Sequence, residues 1–84
     1  MSKWEKLLSR ILALDNSLRF DELRKVLESC GYTMHAPAGG SSHYTFRKRG
    51  RFPITIPTGY PVKICYVEQV RDALKMEEEQ NEIS

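Results

Sequence analysis

The residues best suited to chemistry lie in one stretch, Ala36–Arg51, with the sequence APAGGSSHYTFRKRGR. His43 follows a Gly-Gly-Ser-Ser stretch and precedes four basic residues within five positions, namely Arg47, Lys48, Arg49 and Arg51. The unperturbed pKa of a histidine lies near neutrality, so an imidazole can take or give a proton in a cell, and clustered cations bind anions. The stretch therefore predicts chemistry on a phosphate-containing polyanion.

The residues after the serines alternate between aromatic and polar side chains, which is typical of a β-strand with one buried face. Tyr44 and Phe46 would face the core. By the same alternation, His43, Thr45 and Arg47 would face solvent. The pattern therefore predicts that the imidazole lies outside the hydrophobic core, on a face shared with polar and cationic side chains.

Other interpretations of these residues stay open. An exposed histidine without a chemical role would give the same pattern at His43, and His35, which shares its face by parity, fits that description better. The segment Gly39–Ser42 is equally compatible with a backbone cradle for a phosphate and with an ordinary turn. The basic run is compatible with a solvated hairpin as well as with binding.

Length and composition predict one small domain. The chain has 84 residues, of which 40% are hydrophobic and 29% charged, as in ordinary globular proteins. Its net charge is only +2, but four of the eleven acidic residues lie among the last eight. We therefore predict a basic domain over residues 1–76, suited to a polyanion or an acidic protein, and an acidic, disordered tail over residues 77–84.

Cysteine and carboxylate spacing argues against several kinds of site. Cys30 and Cys65 are far apart and fall on predicted apolar faces, which favours neither a zinc site nor a disulfide. No carboxylate occurs between Glu28 and Glu68, so we expect any catalysis to need no metal or other cofactor.

The apolar positions near the N-terminus are interrupted by charges, and no apolar run approaches the ~20 residues that a bilayer requires, so we expect a cytoplasmic protein without a membrane contact.

Hydrophobic periodicity predicts an α+β fold with the element order α-α-β-β-β-α. We expect helices at Trp4–Leu12, Phe20–Cys30 and Tyr66–Met76, and strands at Tyr32–Ala36, His43–Arg47 and Phe52–Ile56. The strands would form an antiparallel three-stranded sheet in a two-layer arrangement, with helices on one face and the other face open to solvent. Pro53 has no N–H group to donate, so the third strand should lie at an edge or have a solvent-facing side at that position.

The sequence also predicts the burial or the backbone conformation of several single residues. Ala36 and Phe52 occupy inward positions of their predicted strands and should be buried. Gly31 and Gly50 should adopt positive φ at a helix end and a hairpin turn. Tyr60 lies in the irregular connection after the third strand and should be free to stack on a base.

The order and spacing of three motifs resemble those of the HicA toxins, small ribonucleases of bacterial and archaeal toxin–antitoxin pairs. The motifs are GGSSHYTFRK, PITIP and PVKICYVEQV, and the similarity covers roughly residues 20–74. The resemblance implies a fold like a double-stranded RNA-binding domain, metal-independent cleavage of mRNA and a HicB-like antitoxin as protein partner. Two differences stand out: an additional serine separates the glycine from His43, and Thr58-Gly59 occupies the place of a second histidine in many relatives.

By this resemblance, His43 is the catalytic histidine. The residues that we predict to contact RNA are Ser41, Ser42, Thr45, Arg47, Lys48, Arg49, Arg51 and Lys63. In the mechanism that we hypothesise, His43 activates a ribose 2′-OH for attack on the adjacent phosphate, and Arg47 or Lys48 stabilises the developing negative charge. Two other functions remain compatible with the sequence: a non-catalytic RNA-binding module, and an interaction domain whose cationic surface an acidic antitoxin covers.

Overall fold

The structure, a computed structural model, describes residues 2–36 and 42–82 and confirms the predicted α+β class and element order. The helices and strands of this part of the chain are α1 Lys3–Leu12, α2 Phe20–Ser29, β1 Thr33–His35, β2 His43–Arg47, β3 Ile54–Pro57 and α3 Ile64–Glu82. None of the helices in these residues combines the length and the apolar character needed to cross a bilayer.

The three strands form one antiparallel sheet with the order β1-β2-β3. Thr33 lies opposite Arg47, and Thr45 lies between His35 on one neighbouring strand and Thr55 on the other. These side chains share one face because successive residues of a strand alternate between faces. The order also confirms that β3 is an edge strand, as Pro53 predicts.

The opposite face of the sheet carries the hydrophobic core. Phe46 and Ile56 are fully buried, and the ring of Phe46 lies 5.9 Å from that of Phe20 at the start of α2. The buried helical side chains from α2 and α3 are Leu23, Val26, Leu27, Val67, Val70, Ala73 and Leu74. Helix α1 packs against α3 and contributes Ile11, which is fully buried. Burial of these apolar side chains is the main force that holds the helices over the sheet.

Polar contacts fix the connection between the first two helices. Asp15 accepts hydrogen bonds from the backbone N–H and the hydroxyl of Ser17, which stabilise a turn between the helices. These two bonds, with the guanidinium of Arg10, lower the pKa of Asp15 to about 2. Arg10 contacts Asp15 at 3.0 Å and Glu22 at 2.8 Å, so one side chain links α1, the turn and α2.

Three residues differ from the sequence-based expectations. Phe52 is 92% exposed and Ala36 is exposed, because both strands are shorter than predicted and neither residue belongs to the sheet. Pro53 cannot donate to a ladder, so pairing of the third strand begins at Ile54, one residue beyond it. Cys65 is exposed rather than on the apolar face, whereas Cys30 is buried as predicted. The predicted positive φ values of the two glycines are confirmed, at 96° for Gly31 and 80° for Gly50.

The last helix is longer than predicted at both ends. It begins at Ile64, two residues before the predicted start, and continues to Glu82, beyond the predicted end at Met76. The extension is rich in glutamate, a good helix former. Glu77 also has a tertiary partner, since its carboxylate accepts a hydrogen bond from Lys48 Nζ at 2.7 Å. The prediction that the last helix ends at Met76 was therefore wrong.

Candidate functional site

His43 is the first residue of β2 and lies opposite Pro57, the last residue of β3. It is exposed, whereas the two core-facing residues of the strand, Tyr44 and Phe46, are half-buried and fully buried, so the predicted alternation is confirmed. A backbone bond closes the sheet beside the histidine, because Thr58 N donates to Ser42 O at 3.0 Å. The imidazole therefore lies at the end of the sheet where the chain leaves β3 toward α3.

A concavity of about 310 Å³ lies at this end of the sheet. Its lining residues are His43, Pro57, Gly59, Tyr60, Pro61, Lys63 and Tyr66. The structure thus brings two of the predicted site residues together, the histidine from β2 and Lys63 from the connection that precedes α3. A side chain that can exchange a proton and a side chain that carries a fixed positive charge line the same space.

The first turn of α3 adds to the positive potential of the concavity. The carbonyl of Lys63 accepts hydrogen bonds from Tyr66 N at 3.0 Å and Val67 N at 3.3 Å, so Lys63 directly precedes the helix. The N-terminus of a helix carries a partial positive charge, which anions stabilise and cations do not. The first turn of α3 contains no Asp or Glu, and Lys63 occupies the position before the helix at which an acidic side chain would be favourable. The local charges are therefore arranged for an anionic ligand.

Lys48 lies on the other face of the sheet. Its ammonium donates hydrogen bonds to Cys30 O and to Glu77 Oε2, both at 2.7 Å, and lies 5.9 Å from the centre of the Tyr32 ring. Its side chain is only 22% exposed. The predicted phosphate contact of Lys48 therefore competes with an ion pair that ties the hairpin to α2 and α3.

The remaining hairpin cations do not line the His43 concavity. Arg47 is exposed at the far end of β2, four residues from the histidine, which corresponds to about 13 Å along a strand. Arg49 is exposed in the turn. Arg51 is half-buried and lines a groove of about 340 Å³ with Phe52. These arginines can contact a long polyanion at other points, but the strand spacing separates them from the imidazole.

The predicted RNA contacts also include one threonine and two serines, and these lie in different places. Thr45 lies on the open face between His43 and Arg47, and its hydroxyl is 3.2 Å from that of Thr55 across the strands. Ser42 is exposed next to the histidine. Ser41 lies outside the described residues, as does most of the predicted phosphate cradle, residues 39–42.

A second concavity, of about 410 Å³, contains residues that the sequence did not identify. Arg19, which directly precedes α2, and Arg24 in α2 line it together with Asp21, Tyr44, Thr58 and Tyr60. The guanidinium of Arg19 lies 4.7 Å above the centre of the Tyr60 ring. The sequence contains little indication that Arg19 contacts Tyr60, because Arg19 is only the residue before a predicted helix and lies 41 positions from Tyr60 along the chain.

Comparison of the chain with protein-family models, curated proteins and solved structures finds no match. Within residues 2–36 and 42–82, no three side chains of the His, Cys, Asp and Glu types are gathered as a metal site requires. The site is therefore characterised by its own geometry: a histidine, a lysine and a helix N-terminus around one concavity.

Proposed function

We propose that this protein is a small ribonuclease of the HicA type that binds mRNA and cleaves it at His43, acting as the toxin of a toxin–antitoxin pair in the cytoplasm. The observation that carries the proposal is the shared concavity of His43 and Lys63 at the N-terminus of α3. An imidazole beside an anion-binding surface is a combination suited to phosphodiester cleavage without a metal. The motifs that resemble the HicA toxins include this same histidine.

In the proposed reaction, His43 takes the proton of a ribose 2′-OH, and the 2′ oxygen attacks the adjacent phosphorus. The bond from phosphorus to the 5′ oxygen breaks, and that oxygen takes a proton from a water molecule and leaves as a 5′-hydroxyl, while the phosphate becomes a 2′,3′-cyclic phosphate. Lys63 and the first N–H groups of α3 stabilise the charge that develops on the phosphate oxygens. Lys63 takes this role in place of Arg47 or Lys48, because it lines the same concavity as the histidine.

The hairpin and the open sheet face would bind the rest of the RNA. Arg47 and Arg49 are exposed, and Thr45 lies between Arg47 and the histidine. Cationic contacts with phosphates position a nucleic acid without reading its sequence. The same cationic surface is suited to a HicB-like antitoxin with acidic side chains, which would block access to His43.

The test is cleavage of a purified mRNA, in the presence of a chelator, by the wild-type protein and two histidine variants. His43→Ala should abolish cleavage, whereas His35→Ala, a matched change at another exposed histidine of the same sheet face, should leave it unchanged. The products should carry 2′,3′-cyclic phosphate and 5′-hydroxyl ends, and a 2′-deoxy substrate should stay intact. Equal cleavage by the His43→Ala variant would contradict the proposal, and RNA binding without cleavage by the wild type would favour the non-catalytic alternative.

A further inference from the structure

Tyr60 lines both concavities of the candidate site. One is the concavity of His43 and Lys63, and the other contains Arg19 and Arg24. The residue is 60% exposed. Exposure of a large aromatic ring costs hydrophobic stabilisation, and an aromatic ring beside a cationic groove is the usual partner of an unpaired nucleic-acid base.

Arg19 fixes one side of this ring. Its guanidinium lies 4.7 Å above the ring centre, within the distance of a cation–π interaction. A guanidinium is planar and can stack on an aromatic face, so Arg19 places a positive charge over one face of Tyr60. Together the two side chains can stack on a base and contact the adjoining phosphate.

The concavity beside this pair has the size and the charge for a nucleotide. Its volume of about 410 Å³ lies within the range of ~300–1,000 Å³ that is typical of small-molecule sites. Arg19 and Arg24 contribute two positive charges and Asp21 one negative charge. Arg24 also donates to Glu28 at 3.2 Å, and this pair is exposed, so it stabilises the local structure weakly and can yield to a phosphate.

The second concavity adjoins the proposed catalytic site, because Tyr60 lines both. Thr58 lines it, and the backbone N–H of Thr58 bonds to the carbonyl of Ser42, the residue before His43. A strand of RNA whose phosphate lies at His43 and Lys63 can therefore place a neighbouring nucleotide over Tyr60. Bases in a duplex are already stacked on both faces, so only an unpaired base can occupy this position.

We infer that Tyr60 and Arg19 form a stacking site for an unpaired RNA base next to the scissile phosphate, with Arg19 and Arg24 contacting the phosphate of that nucleotide. The inference rests on the proposed function for its substrate, RNA. It goes further because it identifies single-stranded RNA as the form that is bound, gives Tyr60 a partner in Arg19, and assigns a role to Arg19 and Arg24, which the sequence analysis did not identify.

The experiment measures binding of a fluorescein-labelled 12-nucleotide single-stranded RNA, by anisotropy, to His43→Ala protein and to the same protein with a second substitution. Tyr60→Leu should weaken binding roughly 5- to 150-fold, the range that base–aromatic stacking contributes. Tyr60→Phe keeps the ring and should bind as the parent does. Phe52→Leu is the matched control, because it removes an even more exposed aromatic ring that does not line either concavity.

A second measurement locates the base. Replacing one nucleotide at a time with an abasic residue should weaken binding at one position near the cleaved bond, and this loss should disappear in the Tyr60→Leu protein. Annealing the RNA to its complement should remove the effect of Tyr60→Leu. Arg19→Gln should weaken binding of the single strand and also reduce its dependence on salt.

The two proposals fail in different ways. If wild-type protein cleaves RNA through His43 but Tyr60→Leu binds single-stranded RNA as tightly as its parent, the stacking site is wrong and the nuclease stands. If wild-type protein binds RNA in a Tyr60-dependent manner without cleaving it, the stacking site stands and the nuclease is wrong. A wild-type protein that binds no RNA would overturn both.

Discussion

The ammonium of Lys48 and the carboxylate of Glu77 form an ion pair of 2.7 Å that joins the β2–β3 hairpin to the C-terminal half of α3. The same ammonium donates to Cys30 O at the end of α2. The side chains of the pair are only 22% and 32% exposed, so water screens the contact less than it would at an open surface. A residue that the charge pattern predicts for RNA thus contributes to the tertiary structure.

Substitution of Lys48 should therefore lower stability. Lys48→Met removes two hydrogen bonds from a charged donor and should reduce the free energy of unfolding by about 1–2 kcal/mol. Urea denaturation followed by circular dichroism measures the change. Arg49→Met, at the exposed turn of the same hairpin, is the control and should change stability by less than about 0.5 kcal/mol. Equal effects of the two substitutions would contradict a structural role for Lys48.

Arg47 should show the opposite behaviour. It is exposed on the open sheet face, so Arg47→Gln should leave the free energy of unfolding nearly unchanged while removing a phosphate contact. For single-stranded RNA, the slope of log binding constant against log salt concentration should then become smaller in magnitude by about 0.7. Titrations at several salt concentrations give the slope. An unaltered slope would show that RNA does not cross this end of the sheet.

The two phenylalanines of the hairpin test the alternation that orients the site. Phe46 is fully buried and packs near Phe20, so Phe46→Ala should reduce the free energy of unfolding by about 3–5 kcal/mol. Phe52 is 92% exposed, so Phe52→Ala should cost less than about 0.5 kcal/mol. Chemical denaturation of both variants makes the comparison. A large loss at Phe52 would mean that the third strand pairs in a different register.

Asp15 should make stability depend on acid pH. Hydrogen bonds from Ser17, followed by the contact with Arg10, lower the pKa of Asp15 to about 2, below the value of about 3.9 in an unfolded chain. The stabilisation is therefore fully present above pH 4 and is lost as pH falls from about 4 through 2. Unfolding free energies measured from pH 6 to pH 2 should fall more steeply for the wild type than for Asp15→Asn. Parallel curves would show that the carboxylate is not specifically stabilised in the folded state.

Local patterns predicted much of the fold. Alternation at positions 43–47 correctly separates buried Phe46 from exposed His43 and Arg47, because a strand has only two faces. Alternation failed at Phe52 because strand pairing, which fixes the faces, starts only after Pro53. Local patterns therefore predict the face of a residue well inside a strand and fail at strand ends.

Contacts between distant segments were harder to predict. The partners of Lys48 are Cys30 and Glu77, which lie 18 and 29 positions away along the chain. Lys63 was among the predicted RNA contacts, but its position beside His43 depends on the irregular connection after β3, whose path no periodicity describes. Arg19 and Tyr60 meet for the same reason.

The position of β3 has a consequence for how copies of the protein behave in concentrated solution. As an edge strand it presents unpaired backbone groups, which in other proteins can template the growth of fibrils. Here the strand is only four residues long, Pro53 precedes it, and Pro57 forms its last position. Since neither proline can donate a backbone hydrogen bond, this strand offers an incoming chain too short a ladder to extend, and the β3 edge of the sheet is protected from intermolecular pairing.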